Sequence, residues 1–367
     1  MKLTDIQYYL YKFQFRHKAH KGYQKGLFFC LLLIFTQTGR AQPQFFLSDW
    51  EPKSIEAPEY VQKEEPPFIP SSLVEVDAAD TIRKISPYIG GYNLNTYYGG
   101  KIYNKPRLLE NIRRLDLPFF RYPGGSGSNW YFWNHSKPNG PEDVNFFIAR
   151  GEREYNKFKW GEIPGADYLG LDNYYHLRDS VGNRGIHVIN YSYARYGRSE
   201  HPVQKAAHYA ANWVRYDNGR TRFWEIGNEH YGSWEAGYEI DTSENKDGQP
   251  IILDGELYAQ HCKVFIDSMR AAANELGIDI KIGTVIDFNI NRGDAWNRDV
   301  ISGTGNEADF FIVHKYYGNR EDAVPSEVIN SISEFYDSKD YIDNLMDQYL
   351  GFHLPLALTE WNTRYEG

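Results

Sequence analysis

Two glutamates stand out by position. Glu229 closes the run Phe223–Glu229 (FWEIGNE) and Glu360 closes Leu356–Glu360 (LALTE), each at the end of an apolar stretch. A pair of carboxyls delivered to one edge by two buried strands is what cleavage of a glycosidic bond requires. One is protonated beside the leaving oxygen, and the other is ionised at the anomeric carbon. Apolar surroundings are expected to raise the acid's pKa, while nearby donors keep the nucleophile ionised. Asn228, beside Glu229, offers an amide to a sugar hydroxyl, and Trp361, beside Glu360, offers a ring face. Read more plainly, the two are acids in structural ion pairs, but each sits in its own motif.

Other chemistries find less support. Gly124–Trp130 (GGSGSNW) lacks the Lys-Ser/Thr ending of a phosphate cradle and reads instead as a loop carrying Trp130, with Trp133, over a cleft. Asp241–Gly248 (DTSENKDG) fails calcium-loop spacing and reads as a solvated turn. His201, His208, His230 and His261 have no metal spacing, and neither HExxH nor a Gly-x-Ser-x-Gly elbow is present. No metal or cofactor is therefore expected. Cys262 falls mid-helix and reads as a small buried hydrophobe.

The elements that must position these residues are legible as short apolar runs. They are Tyr88–Asn93, Pro118–Tyr122, His187–Tyr193, Phe223–Gly227, Ile280–Val285, Phe310–His314 and Leu356–Glu360. Helical stretches alternate with them. Glu256–Leu276 has apolar residues at three- and four-residue spacings with Gly277 as stop, and another helix runs from Pro202 through Trp213 to Asn218-Gly219. Nearly all-apolar strands alternating with helices mean a parallel sheet buried on both faces. Polar residues recur at the strands' C-terminal ends: Asn93, Arg121, Asn228-Glu229, His314 and Glu360. That favours an α/β fold of the (β/α)8 TIM-barrel type, whose active sites are built at that rim, with one unit absent after the seventh strand.

Four motifs in register resemble the clan A retaining glycoside hydrolases, and most nearly the α-L-arabinofuranosidase family (family 51-like). They are RYPGG (Arg121–Gly125), WEIGNE (Trp224–Glu229), HKYY (His314–Tyr317) and LTEWN (Leu358–Asn362), and the similarity runs from about Ile85 onward. The resemblance implies Glu229 as general acid/base and Glu360 as nucleophile, with carboxyls ~5–5.5 Å apart. It implies that Asn228, Arg121, His314 and Tyr316 bind the sugar or hold the carboxylates. Two departures lie beside the expected sugar subsite. Ser126 stands where the family usually has Asn, and His230-Tyr231-Gly232 where it usually has Met-Asp-Gly.

Composition sets the context. Aromatics make up 16% of the 367 residues, with Trp130, Trp224, Tyr316, Tyr317 and Trp361 at expected strand ends, where a sugar cleft would use them. Residues 1–25 carry six Lys/Arg against one acid, and Leu27–Phe35 is an uninterrupted apolar run. The pattern reads as a secretory signal over 1–41, cut near Ala41, followed by a Pro/Glu-rich lead-in over 42–72 and the barrel over 73–367. The run is too short to span a bilayer, so a stable membrane anchor is not expected. The segment 1–41 holds seven Lys/Arg and one Asp, so without it the net charge of −9 becomes −15. That balance disfavours nucleic acid as a partner and leaves polysaccharide or oligosaccharide as the expected ligand of a secreted protein. Alternatives are an endo-acting, agarase- or xylanase-like hydrolase, its cleft shaped by loops 124–133 and 230–238, or a glycan-binding protein without catalysis. A barrel stopping after its seventh strand would expose a long parallel edge beside Glu360, so the expectation is a truncated chain or a gap patched by residues 42–84.

Overall fold

The structure, a computed structural model, describes residues 84–98, 105–163, 169–290, 292–317 and 330–363, together with Glu75, Ile102 and Ser326. The expected signal over 1–41, the lead-in over 42–72 and nearly all of the patch over 42–84 lie outside the described residues. By compactness the chain divides into Met1–Gln44 and Phe45–Gly367, and everything described belongs to the second unit.

Seven strands line up in sequence order in one parallel sheet: β1 (Gly91–Asn93), β2 (Phe119–Tyr122), β3 (Arg184–Ile189), β4 (Phe223–Ile226), β5 (Lys281–Val285), β6 (Phe310–Tyr317) and β7 (Leu356–Thr363). The sheet curls into a nearly closed barrel. Its two ends are linked by Asn93 of β1, whose Nδ2 donates to the Thr359 carbonyl of β7 at 3.3 Å. Helices α1 (Pro106–Leu115), α2 (Leu171–Val181), α3 (Pro202–Asp217), α4 (Gly255–Leu276), α5 (Asp294–Thr304) and α6 (Ile332–Tyr349) alternate with the strands. Strand β4 shows why the pattern folds this way: Phe223, Trp224 and Ile226 are all buried, as a strand covered on both faces requires. Helix α3 packs inward with Ala206, Ala207, Ala210, Ala211 and Val214, small residues at helical spacing that let it sit close. Helix α4 starts where the Asp254 side chain accepts from Leu257 N at 2.8 Å and ends at left-handed Gly277.

Several strand boundaries differ from expectation, those of β3, β6 and β7 most. Strand β3 starts and ends earlier than the apolar run, because Asn190 Oδ1 accepts from Tyr193 N at 3.1 Å and turns the chain into the short helix Tyr193–Tyr196. Strands β6 and β7 run on to Tyr317 and Thr363, pairing with each other throughout. Between β2 and α2 the chain inserts a layer of short strands, including the hairpin Phe147–Ala149 and Glu152–Glu154. Arg150 N at its tip donates to Ser233 O at 3.2 Å, which ties this hairpin to the loop after β4.

Candidate active site

Each site residue leaves its strand at the C-terminal rim. In β4 the side chains alternate. Trp224 faces the helices, 5.7 Å and edge-on from Trp213 of α3, so Glu225 faces the opposite way, into the barrel. Trp224 therefore contributes nothing to a sugar cleft, contrary to the expectation from its place near a strand end. Gly227 (φ 79°) then turns the chain, and a Cβ there would fall 2.2 Å from His230 Nε2. Glu229 itself has φ 49°, a left-handed conformation costing on the order of 1–3 kcal/mol for a non-glycine residue. Such strain persists only where the surroundings hold it in place, and here four side chains do so.

Three of them hold the Glu229 carboxylate. Tyr231 Oη donates to Oε1 at 3.1 Å, Trp234 Nε1 donates to Oε2 at 2.9 Å, and His314 Nδ1 lies 2.9 Å from Oε1. The fourth is Asn129, on the far side of the turn, whose Nδ2 donates to Asn228 O at 2.9 Å. Burial pushes the Glu229 pKa up, as expected for an acid in apolar surroundings. The His314 hydrogen bond and charge, with Trp234 and Tyr231, outweigh it and bring it down to about 2. The expected elevation is thus reversed by donors that come from the 230–238 loop and from β6.

Glu360 is reached from the other side. A bulge between Val313 and His314 shifts the β6–β7 register so that His314 pairs with Glu360 rather than Thr359. The skipped Thr359 places Oγ1 3.2 Å from His314 Nε2. Tyr316 Oη donates a short hydrogen bond to Glu360 Oε1, and Arg121 Nη1 donates to Oε2 at 3.2 Å. Arg121 is the hub of the barrel interior. Its guanidinium also donates to Glu225 Oε2 at 2.9 Å, Asn93 Oδ1 at 3.0 Å and Asn228 Oδ1 at 3.0 Å.

Facing oxygens of Glu229 and Glu360, with a His314 ring nitrogen, lie within 4.8 Å of one another. These are atoms a cation could use. Every one of these carboxylate oxygens already accepts from a protein donor, and Arg121 adds a positive charge beside Glu360, so the set fits a hydrogen-bonded carboxyl pair better than a metal centre. The pair opens into a polar cleft of about 1100 Å³ whose walls include Ser126, Arg150, Tyr231, Trp234, Asp287 and Arg292. Arg292 binds Asp287 at 2.6 Å and lies 5.1 Å from the ring centres of both Tyr231 and Trp234, bracing the two donors to Glu229.

Among the residues picked out from sequence, Glu229, Glu360, Asn228, Arg121, His314, Tyr316 and Asn93 come together in one network. Trp361 lies one residue beyond Glu360 on β7 and is 63% exposed. Trp130 does not join them. It stacks on Phe147 at 4.9 Å, and Trp133 is buried against Trp213 of α3, because the insertion after β2 packs its rings into the hydrophobic core shared with the barrel. Sequence reading missed Glu225, Tyr231, Trp234 and Glu235. Glu225 carried a signal, as the charged residue inside an otherwise apolar strand. Cys262 is buried as expected, and burial pushes its thiol pKa up.

No protein-family model matches the chain. Among curated proteins it is similar to intracellular exo-α-(1→5)-L-arabinofuranosidase 1 of Bacillus subtilis, 23% identical over 274 residues, covering 69% of this chain and 48% of that protein. It is also similar to the probable α-L-arabinofuranosidase C of Aspergillus clavatus, 28% identical over 190 residues, covering 44% of this chain and 35% of the relative. Among solved structures it superposes on the Thermotoga maritima α-L-arabinofuranosidase in its arabinose complex with a TM-score of 0.51 and 22% identity, over 76% of this chain and 56% of that one. The family 51 α-L-arabinofuranosidase of Bifidobacterium longum gives a TM-score of 0.50 at 17% identity, with the same coverage. The chain spans about half the length, or less, of these curated relatives.

Proposed function

We propose, from this resemblance to α-L-arabinofuranosidases, that the protein is a glycoside hydrolase of arabinofuranosidase type acting with retention on polysaccharide or oligosaccharide. One observation carries the reading: Glu229 and Glu360 leave two strands of one barrel and face each other with oxygens within 4.8 Å across an open cleft. Such closeness is in keeping with retention, for which carboxyls stand ~5–5.5 Å apart, rather than with inversion, for which they stand ~6.5–9.5 Å apart.

In the proposed reaction Glu360 attacks the anomeric carbon, its charge oriented by Arg121 and Tyr316, while Glu229 gives a proton to the leaving oxygen. Glu229 then takes a proton from the water that releases the sugar. The lowered pKa favours the ionised form of Glu229, the one this second step uses. The acid form becomes favourable when a bound glycoside excludes water and the negative charge of Glu360 stands nearby. Once Glu360 is esterified that charge is gone and Glu229 reverts to a base.

The test is Glu229→Ala with aryl arabinofuranosides of graded leaving-group pKa. Poor leaving groups should lose nearly all activity and good ones should retain it. Equal loss on both would overturn the assignment of Glu229. A second reading, an endo-acting hydrolase, draws on the size of the cleft, which at about 1100 Å³ tops the ~300–1,000 Å³ range of small-ligand pockets and has room for several rings. Polysaccharide shortened internally, with no action on small arabinosides, would favour it. We also infer export, from the basic and apolar pattern over 1–41. Secreted protein whose first residue lies just after Ala41 would support it, and an uncut chain retained in the cell would not.

A further inference from the structure

Glu235 is a carboxyl that this mechanism does not use. It lies in the loop after β4, within the same tight turn region as Glu229, and is fully buried. Three side-chain donors from two separate segments converge on it. Ser126 Oγ lies 2.7 Å from Oε1, Asn129 Nδ2 2.7 Å from Oε2, and Asn228 Nδ2 3.2 Å from Oε1. Burying a carboxyl without a cation is costly. Protonated or not, each carboxyl oxygen keeps a lone pair for the Asn129 and Asn228 amides, whereas a glutamine would set its own NH2 group, which cannot accept, against one of them.

One of the three donors lines the cleft and a second sits beside a residue that does. Ser126 lines it together with Glu229 and Glu360. Asn228 adjoins Glu229, and its amide is fixed at both ends: Oδ1 accepts from Arg121 Nη2 at 3.0 Å while Nδ2 donates to Glu235. Glu235 therefore decides which way the Asn228 amide points and commits one end of the Ser126 hydroxyl.

We propose that Glu235 is a positioning residue for substrate selection: by holding Ser126 and Asn228, it sets whether the cleft floor meets a ring hydroxyl of the glycoside as hydrogen-bond donor or acceptor. The inference rests on the glycoside-hydrolase reading above. With a proton on Glu235, its O–H donates to Ser126 Oγ and the serine turns its own O–H to the sugar. Without that proton, Ser126 donates to Glu235 and offers the sugar only lone pairs. Burial raises the Glu235 pKa to about 8, with the charges of Glu229 and Glu360 adding to the rise, so the first arrangement holds at neutral pH. The charged groups around it are Glu229 from its own loop, Glu360 from β7, and Arg121 from β2, which reaches Glu235 through Asn228.

The test measures kcat and KM of the full chain on a panel of aryl glycosides, each with its singly deoxygenated analogues, from pH 6 to 9. The variants are Ser126→Ala, Glu235→Gln and the double variant, with thermal melts alongside. Each single substitution should lower kcat/KM for the preferred glycoside by about ten- to a hundredfold. The double variant should lose little more than the worse single one, because the two act through one hydrogen bond. Wild type should lose its discrimination against one deoxy analogue as pH rises through about 8, and both single variants should lack that step. Additive losses, or a Glu235→Gln variant that melts earlier with unchanged discrimination, would overturn the inference while leaving the hydrolase reading intact. A wild type that cleaves no glycoside on the panel would overturn both.

Discussion

Two histidine–carboxylate pairs lie on opposite sides of the same sheet. His314 meets Glu229 at the rim, and His187 of β3 lies 3.5 Å from Asp217 at the end of α3. Their local chemistry is alike. Each carboxylate also accepts from a tyrosine, Tyr231 in one pair and Tyr175 in the other, at 3.1 and 2.7 Å. In each, burial pushes the carboxylate pKa up and the imidazole with its neighbours pulls it below the usual range. What differs is the opening. Each has a third donor, Trp234 Nε1 at 2.9 Å for Glu229 and the Thr221 backbone N–H at 2.7 Å for Asp217, but Asp217 is 1% exposed, whereas Glu229 is 15% exposed and faces Glu360 across the cleft. A perturbed acid beside a histidine is therefore no sign of catalysis by itself. The open side, and a second carboxylate across it, mark the difference.

The sharpest way to break the comparison is to remove the carboxylate found only at the rim. Glu360→Ala should lower kcat/KM by on the order of 10⁴-fold or more, with the melting temperature nearly unchanged. A loss below tenfold would reduce the rim pair to the structural status of the sealed one. Next in size is His314→Phe. Glu229 would keep Tyr231 and Trp234 but lose the partner that contributes most to its lowered pKa, leaving burial to raise it. In the proposed mechanism Glu229 must hold a proton to release the leaving group, so the basic limb of the kcat/KM profile should move up by about one to three pH units. An unmoved limb would mean that His314 does not govern the protonation of Glu229.

The barrel was legible because its strands are short apolar runs with a polar residue at each C-terminal end, a pattern set by burial on both faces. Glu229 and Glu360 were legible for the same reason. The side on which a residue lands was harder to read. Trp224 and Glu225 are neighbours, and only the register of β4 between β3 and β5 decides that the tryptophan goes to the helices and the glutamate to Arg121. The hold on Glu229 was hidden too, since Tyr231, Trp234 and His314 converge only through a non-repetitive loop and a bulge. Trp130 lands elsewhere because the long insertion after β2 packs its rings against one another and onto the barrel's core, which periodicity does not reveal. Nothing in the sequence around Glu235 sets it apart, because its partners Ser126 and Asn129 come from a segment more than a hundred residues earlier.

The smallest effect on activity belongs to the sealed pair, and it is the control for the whole comparison. Asp217→Asn removes a charge that His187, Tyr175 and Thr221 are arranged to receive, far from any opening. Stability should fall by about 2–4 kcal/mol at pH 7, while kcat/KM per folded molecule stays within about twofold of wild type. The pH dependence fixes the cause. The native pKa of Asp217 lies below its unfolded value, so its contribution is complete above about pH 4–5 and drains away as pH falls through the native value. Denaturation curves of wild type and variant should therefore converge in acid and stay apart at neutral pH. A gap that stayed constant down to pH 2 would assign the loss to packing rather than to the charge.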